Sequence, residues 1–207
     1  MGEIYFKKRD YQKARKFYFN MVNMDPANKE AHRALNRIGD LYLIQGREME
    51  ALSVYDQSAK LDPENRESQY GKIRMADIGV RYPRLPVNEA ILDVNNYFKP
   101  LKAYNEILES AKDIDILSEV TMSKAIALLK EQNYLEAIQE FKKLLPLGEE
   151  SKFYRDATKY IHQALVFLVD GYAKQGGVLP ILYSYTDYAS LSIGKIKSLK
   201  TLLQVGE

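Results

Sequence analysis

At 207 residues the chain is long enough for one sizeable core or an extended repeat array. Lys and Arg number 30 against 28 Asp and Glu, a net charge of +2, so neither a nucleic-acid groove nor a polybasic membrane surface is expected. Cysteine is absent, which excludes disulfides, thiolate metal sites and a thiol nucleophile.

The longest apolar run, Ala164 to Val169, falls far short of the ~20 residues a bilayer span needs. No signal-peptide pattern stands at the N-terminus. Direct membrane insertion is therefore not expected, and the compartment is left open. Tyrosine is the unusual count, 16 against 7 Phe and no Trp. A ring with a polar tip suits packing between helices, and also contact surfaces.

Apolar spacing is helical nearly throughout, in segments of about 12–16 residues separated by short breaks with Gly, Pro, Asn or Asp. The first two segments read "GEIYFKKRDYQKARKFYFNMVNMDPANKE", and the next two read "GDLYLIQGREMEALSVYDQSAKLDPENRE". Gly2 matches Gly39, Tyr5 matches Tyr42, Ala14 matches Ala51, Tyr18 matches Tyr55, and Pro26 matches Pro63, each pair 37 residues apart. Each type has a mechanical use. Gly lets two helices approach closely, with Tyr5 and Tyr42 expected to fill the space beside it. Ala14 and Ala51 fit a helix crossing. Tyr18 and Tyr55 are expected to pack outward onto the neighbouring pair. Pro26 and Pro63 end a helix, and Asn28 and Asn65 are expected to cap the next one.

These residues resemble the tetratricopeptide repeat, a helix-turn-helix unit. The resemblance implies an all-α fold, a right-handed superhelix of antiparallel helix pairs. The expected units are 1–28, 29–65, an irregular 66–113, 114–148, 149–193, and a half-repeat 194–207. The 37-residue spacing is longer than the family's, and the extra residues are expected to add nearly one turn to the second helix A.

In the third unit, "ESQYGKIRMADIGV" is expected to form a helix A whose apolar stripe Asp77 interrupts. "RYPRLPVNEA" carries Pro83 and Pro86 and forms a longer loop. "VNEAILDVNNYFK" is the expected helix B, which Pro100 stops or kinks before "LKAYNEILESAKD". The pattern returns with "EQNYLEAIQEF", where Asn133 marks the turn, Ala137 the crossing and Ala125 the small helix-A residue. In the fifth unit Leu165, Leu168 and Tyr172 take helix-A positions. Gly176-Gly177 form the turn, Pro180 opens helix B, and Ile181, Tyr183, Tyr185 and Tyr188 fill it. Val205-Gly206-Glu207 falls in phase with Ile38-Gly39-Asp40. The chain is therefore expected to be a window from a longer array.

No catalytic, metal or cofactor site is expected. His32 and His162 have no ligand-type neighbour at metal spacing. Glu149-Glu150 and Asp113/Asp115 suit helix starts, where negative charge is favoured. Gly176-Gly177 lacks the Lys-Ser/Thr of a phosphate loop. The resemblance implies instead a non-catalytic interaction scaffold, with a partner's peptide or amphipathic helix held in the groove lined by helix A faces. The expected contact residues are Arg33, Asn36, Arg37, Asp40 and Leu43 in the second unit. In the fourth they are Glu119, Met122, Ser123 and Ile126, and in the fifth Gln163, Val166, Phe167 and Asp170. Asp40 would repel a carboxylate, so the carboxylate clamp of the chaperone-binding members is not expected. On this view Arg37→Glu should weaken binding and leave the fold intact. The alternative is a structural spacer or self-associating segment of a larger assembly.

Overall fold

A computed structural model describes residues 1–26, 28–61, 65–87 and 95–176. The chain divides into two units, Met1–Lys130 and Glu131–Glu207. The described residues are helical, with no strand among them.

The first unit holds α1 (Gly2–Lys7), α2 (Tyr11–Met24), α3 (Lys29–Ile44), α4 (Glu48–Leu61), α5 (Arg66–Arg81), α6 (Asn95–Phe98), α7 (Pro100–Ser110) and α8 (Ile114–Lys130). Each of the first five helices packs on the next, and α5 also meets α6, α7 and α8. The helix starts are capped as their sequences ask. Asn28 Oδ1 accepts from Glu30 N at 2.9 Å, and Asn65 Oδ1 accepts from Glu67 N at 2.9 Å. Asp10 caps α2 through Lys13 N, and Asp113 caps α8 through Asp115 N and Ile116 N. Helix A of the second pair runs to 16 residues against 14 for the helix B that follows.

Two close approaches build the pairs. Ala14 and Ala51 are buried at the crossings. A Cβ added to Gly39 would lie 2.6 Å from the Tyr55 ring, and one added to Gly2 would lie 2.6 Å from the Tyr18 ring. So it is Tyr18 and Tyr55, rather than Tyr5 and Tyr42, that lie over the glycines of their own pairs. Tyr18 still joins the cluster shared with Ala34, Ile38 and Leu41 of the next helix.

The turns after α1, α3, α8 and α10 share one backbone feature. Arg9, Gly46, Gln132 and Gly176 have φ of 60°, 68°, 66° and 72°, each two residues past a helix end. The equivalent position after α5 is Pro83. Proline holds φ near −65° and cannot take the left-handed conformation. The tight turn is therefore barred there, and the chain leaves α5 in a longer loop. Tyr97 secures its start: the hydroxyl donates to Tyr82 O and accepts from Leu85 N. The expected helix B over this stretch is described only as α6, and Pro100 opens α7 rather than kinking a continuous helix. Residues 88–94 lie outside the described residues.

The second unit holds α9 (Tyr134–Lys142), a short 3-10 turn (Leu145–Leu147) and α10 (Lys152–Lys174). Ala137, Ile138 and Phe141 are buried, while Leu135 is exposed. Phe141 stacks on Tyr160 with ring centroids 5.3 Å apart. Ser151 caps α10 through Phe153 N. The helix B expected after Pro180, with Ile181, Tyr183, Tyr185 and Tyr188, lies outside the described residues, as does the half-repeat 194–207.

Candidate functional site

In the first unit the polar residues of the helix A faces form a ladder. Three carboxylates each accept a hydrogen bond from a tyrosine on another helix. Tyr18 donates to Glu3 Oε1 at 3.0 Å, Tyr55 to Asp40 Oδ1 at 2.7 Å, and Tyr104 to Asp77 Oδ1 at 2.8 Å. Arginines join the rungs. Arg37 Nε donates to Glu3 Oε1 at 2.8 Å and Nη1 to Asp40 Oδ2 at 3.0 Å. Arg74 Nη1 donates to Asp77 Oδ2 at 3.0 Å and Nη2 to Glu119 Oε1 at 2.8 Å. The Arg37 guanidinium lies over Phe6, and that of Arg74 over Tyr70.

The electrostatics follow the geometry. Burial and the facing carboxylates push the Tyr18, Tyr55 and Tyr104 hydroxyls well above the ordinary tyrosine range. Burial likewise pushes Tyr70 up to about 12, against the opposing pull of Arg74. For Glu3, burial opposes charge, but hydrogen bonds from Arg37 and Tyr18 prevail and hold its carboxyl below the usual range.

The expected contact residues therefore separate. Asn36 is buried, and its Nδ2 donates to Glu67 O at 2.8 Å and Glu67 Oε2 at 3.0 Å on α5. Arg37, Asp40 and Glu119 belong to the ladder. Leu43 packs on the cluster of Ala51, Tyr55, Met75 and Ile78. Met122 and Ser123 are buried and Ile126 is half-buried, while Arg33 is exposed. In the second unit the four expected residues lie on α10 and reach the surface. Val166 is 62% and Phe167 44% exposed, with Gln163 and Asp170 on the same face. Phe167 tilts against Tyr134 at 5.7 Å, and Asp170 pairs with Lys174 at 2.7 Å. An Arg37→Glu exchange thus acquires a structural cost, since it would set a third carboxylate beside Glu3 and Asp40.

The ladder carries a sequence signal that a search for groove residues passes over. Glu3, Asp40 and Asp77 each follow the small helix-A residue Gly2, Gly39 or Ala76, at 37-residue steps. Arg37 and Arg74 each stand three residues ahead of their acid.

Among the described residues no helix is long and apolar enough to cross a membrane, and no group of three or more His, Asp or Glu side chains could hold a metal ion. His32 is buried beside Asn65, with Nδ1 and Nδ2 3.4 Å apart.

Residues 32–65, which comprise most of α3, all of α4 and the next cap, match the family model of the tetratricopeptide repeat. The protein is a helical repeat protein that contains a tetratricopeptide repeat. Repeats of this family generally mediate protein–protein interaction and are typically non-catalytic. Comparison with curated proteins gives no match.

Proposed function

We propose that the chain is a non-catalytic interaction scaffold that takes a peptide or an amphipathic helix of a partner protein on the face of α10. One observation carries this reading. Val166 and Phe167 stand side by side on α10 with 62% and 44% of their surface exposed. The equivalent α3 positions, Asn36 and Arg37, are engaged with Glu67, Glu3 and Asp40. A polar side chain at such a position can be satisfied within the fold, whereas an exposed valine and phenylalanine gain only by being covered. Covering one such side chain in full contributes about 1.5–3 kcal/mol. Gln163 and Asp170 along the same face supply polar partners that set the orientation of a bound segment.

The test is selection of peptides from a displayed random library of ~16-residue segments, about four helical turns. The reading requires peptides with an apolar stripe, and affinity that falls about tenfold or more with Val166→Asp. Selected peptides that bind the Val166→Asp variant as well as the unaltered chain would remove α10 as the site.

A further inference from the structure

Arg37 and Arg74 are equivalent residues, 37 positions apart, that use the same guanidinium differently. Each gives Nη1 to the acid three residues ahead, Asp40 or Asp77, at 3.0 Å. Arg37 turns its other edge back to the preceding helix A. Its Nε donates to Glu3 Oε1 at 2.8 Å and its Nη2 to Glu3 Oε2 at 3.4 Å. For Arg74 the counterpart of Glu3 is Asp40, one 37-residue step later. Arg74 does not take it. Its Nη2 goes forward to Glu119 Oε1 on α8 at 2.8 Å, and its Nε is buried with no acceptor among the described residues. Asp40 is nonetheless a neighbour. Helices α3 and α5 are in contact. A Cβ added to Gly71 of α5 would lie 2.9 Å from Tyr55 O, and Tyr55 is the residue that donates to Asp40. Burial opposes charge on Arg74, but Tyr70, Asp77, Glu119 and Asp40 together hold its pKa above the ordinary arginine range.

We infer that Arg74 is a latch with two positions, forward on Glu119 of α8 and back on Asp40 of α3, and that exchange between them sets how tightly α5 closes on α3. The positions exclude each other, because Nη2 cannot serve α8 and α3 at once. Each leaves something unmade. Forward, the guanidinium keeps a short bond to Glu119, but Nε is left without an acceptor. Back, Nε and Nη2 face one carboxylate, the two-bond geometry that arginine favours, and Glu119 loses its arginine. The pivot is already built. Asn36 Nδ2 ties α3 to Glu67 in the first turn of α5. Arg74 stands seven residues further on, about 10 Å along the helix. A bond to Asp40 therefore fastens α5 to α3 at a second point and releases α8. The α8 helix cannot continue the ladder itself, because Ser123 and Ile126 stand where the next arginine and acid would fall beside Ala125.

A double-mutant cycle on the full chain tests the latch, with the folding equilibrium constant read from urea denaturation. Glu119→Met removes the forward acceptor, so Arg74 should move to Asp40. Asp40→Asn should then lower the folding constant about tenfold or more further in the Glu119→Met background than in the unaltered chain. The bonds from Arg37 and Tyr55 to Asp40 are affected alike in both backgrounds and cancel. Glu3→Gln, which acts on Arg37 and Tyr18, should cost the same in both. A second readout needs only folded protein. The NMR signal of the Arg74 Nε–H, identified by its loss in Arg74→Lys, should move downfield on Glu119→Met, and adding Asp40→Asn should return it. The Arg37 Nε–H, already bound to Glu3, should stay where it is on Glu119→Met. Additive costs for Asp40→Asn and Glu119→Met overturn the latch. So does an Arg74 Nε–H signal that Glu119→Met leaves in place, or moves equally when residue 40 is asparagine.

Discussion

Replacing Tyr55 by Phe removes one oxygen and keeps the ring that lies over Gly39. The lost hydroxyl donates to Asp40 Oδ1 at 2.7 Å. A hydrogen bond to a charged group contributes about 1.5–3 kcal/mol. Asp40 keeps Arg37 Nη1 at 3.0 Å, so its carboxylate is not orphaned, and the loss belongs at the lower end, about 1.5–2 kcal/mol. For a chain of this size that lowers the melting temperature by about 3–8 °C. Tyr18→Phe makes the same chemical change in a wetter place: the Glu3 side chain is 36% exposed, against 15% for Asp40. Water can replace that hydroxyl, and the expected loss is about 0.5–1 kcal/mol. Urea denaturation followed by helical circular dichroism measures both, with the slope checked for constancy. Tyr18→Phe costing as much as Tyr55→Phe, or Tyr55→Phe costing nothing, would refute the view that the rungs stabilise the pairs according to their burial.

Ala51→Leu should overpack the second crossing and destabilise by about 1–3 kcal/mol, and an unchanged melting temperature would show that Ala51 is not at the contact. Gly46→Ala should destabilise by about 1 kcal/mol although the added Cβ meets nothing within 4 Å, because the loss is purely one of backbone conformation at φ 68°. Gln132→Gly should act in the opposite direction by up to about 1 kcal/mol, measured in the same denaturation series. Tyr18, Tyr55 and Tyr104 hold their protons in the fold more tightly than in the unfolded chain, whose tyrosines ionise near pH 10. Their stabilisation is complete below that pH and is lost as pH rises above it. In an absorbance titration a subset of tyrosines should therefore ionise only together with loss of helix, and smooth ionisation of all of them in the intact fold would exclude the ladder.

Much of the architecture could be read from residue types that do one mechanical job each. Glycine under a ring, alanine at a crossing and asparagine at a cap gave the pairs and their period. The irregular third unit has an equally local cause, since Pro83 occupies the one turn position that needs positive φ. The polar face of α3 was harder to read. Helical periodicity separates apolar from polar sides, and a polar side is ordinarily taken as the wet one. Asn36, Arg37 and Asp40 are polar but face neighbouring helices, where Glu67, Glu3 and Tyr55 hydrogen-bond to them. A period cannot tell a solvated charge from one that is paired inside the fold. Val166 and Phe167 show the converse, an apolar pair on a helix face that the unit leaves uncovered.

The most direct test sets Arg37→Glu against Val166→Asp, each measured for melting temperature and for affinity to a library-selected peptide. If the α3 face holds the fold together and the α10 face binds, Arg37→Glu lowers the melting temperature by several degrees, with affinity retained at temperatures where the variant is folded. Val166→Asp melts as the unaltered chain does and loses affinity about tenfold or more. The reverse pattern, an Arg37→Glu variant that is stable but cannot bind beside a Val166→Asp variant that binds normally, would return the binding face to α3 and contradict the account.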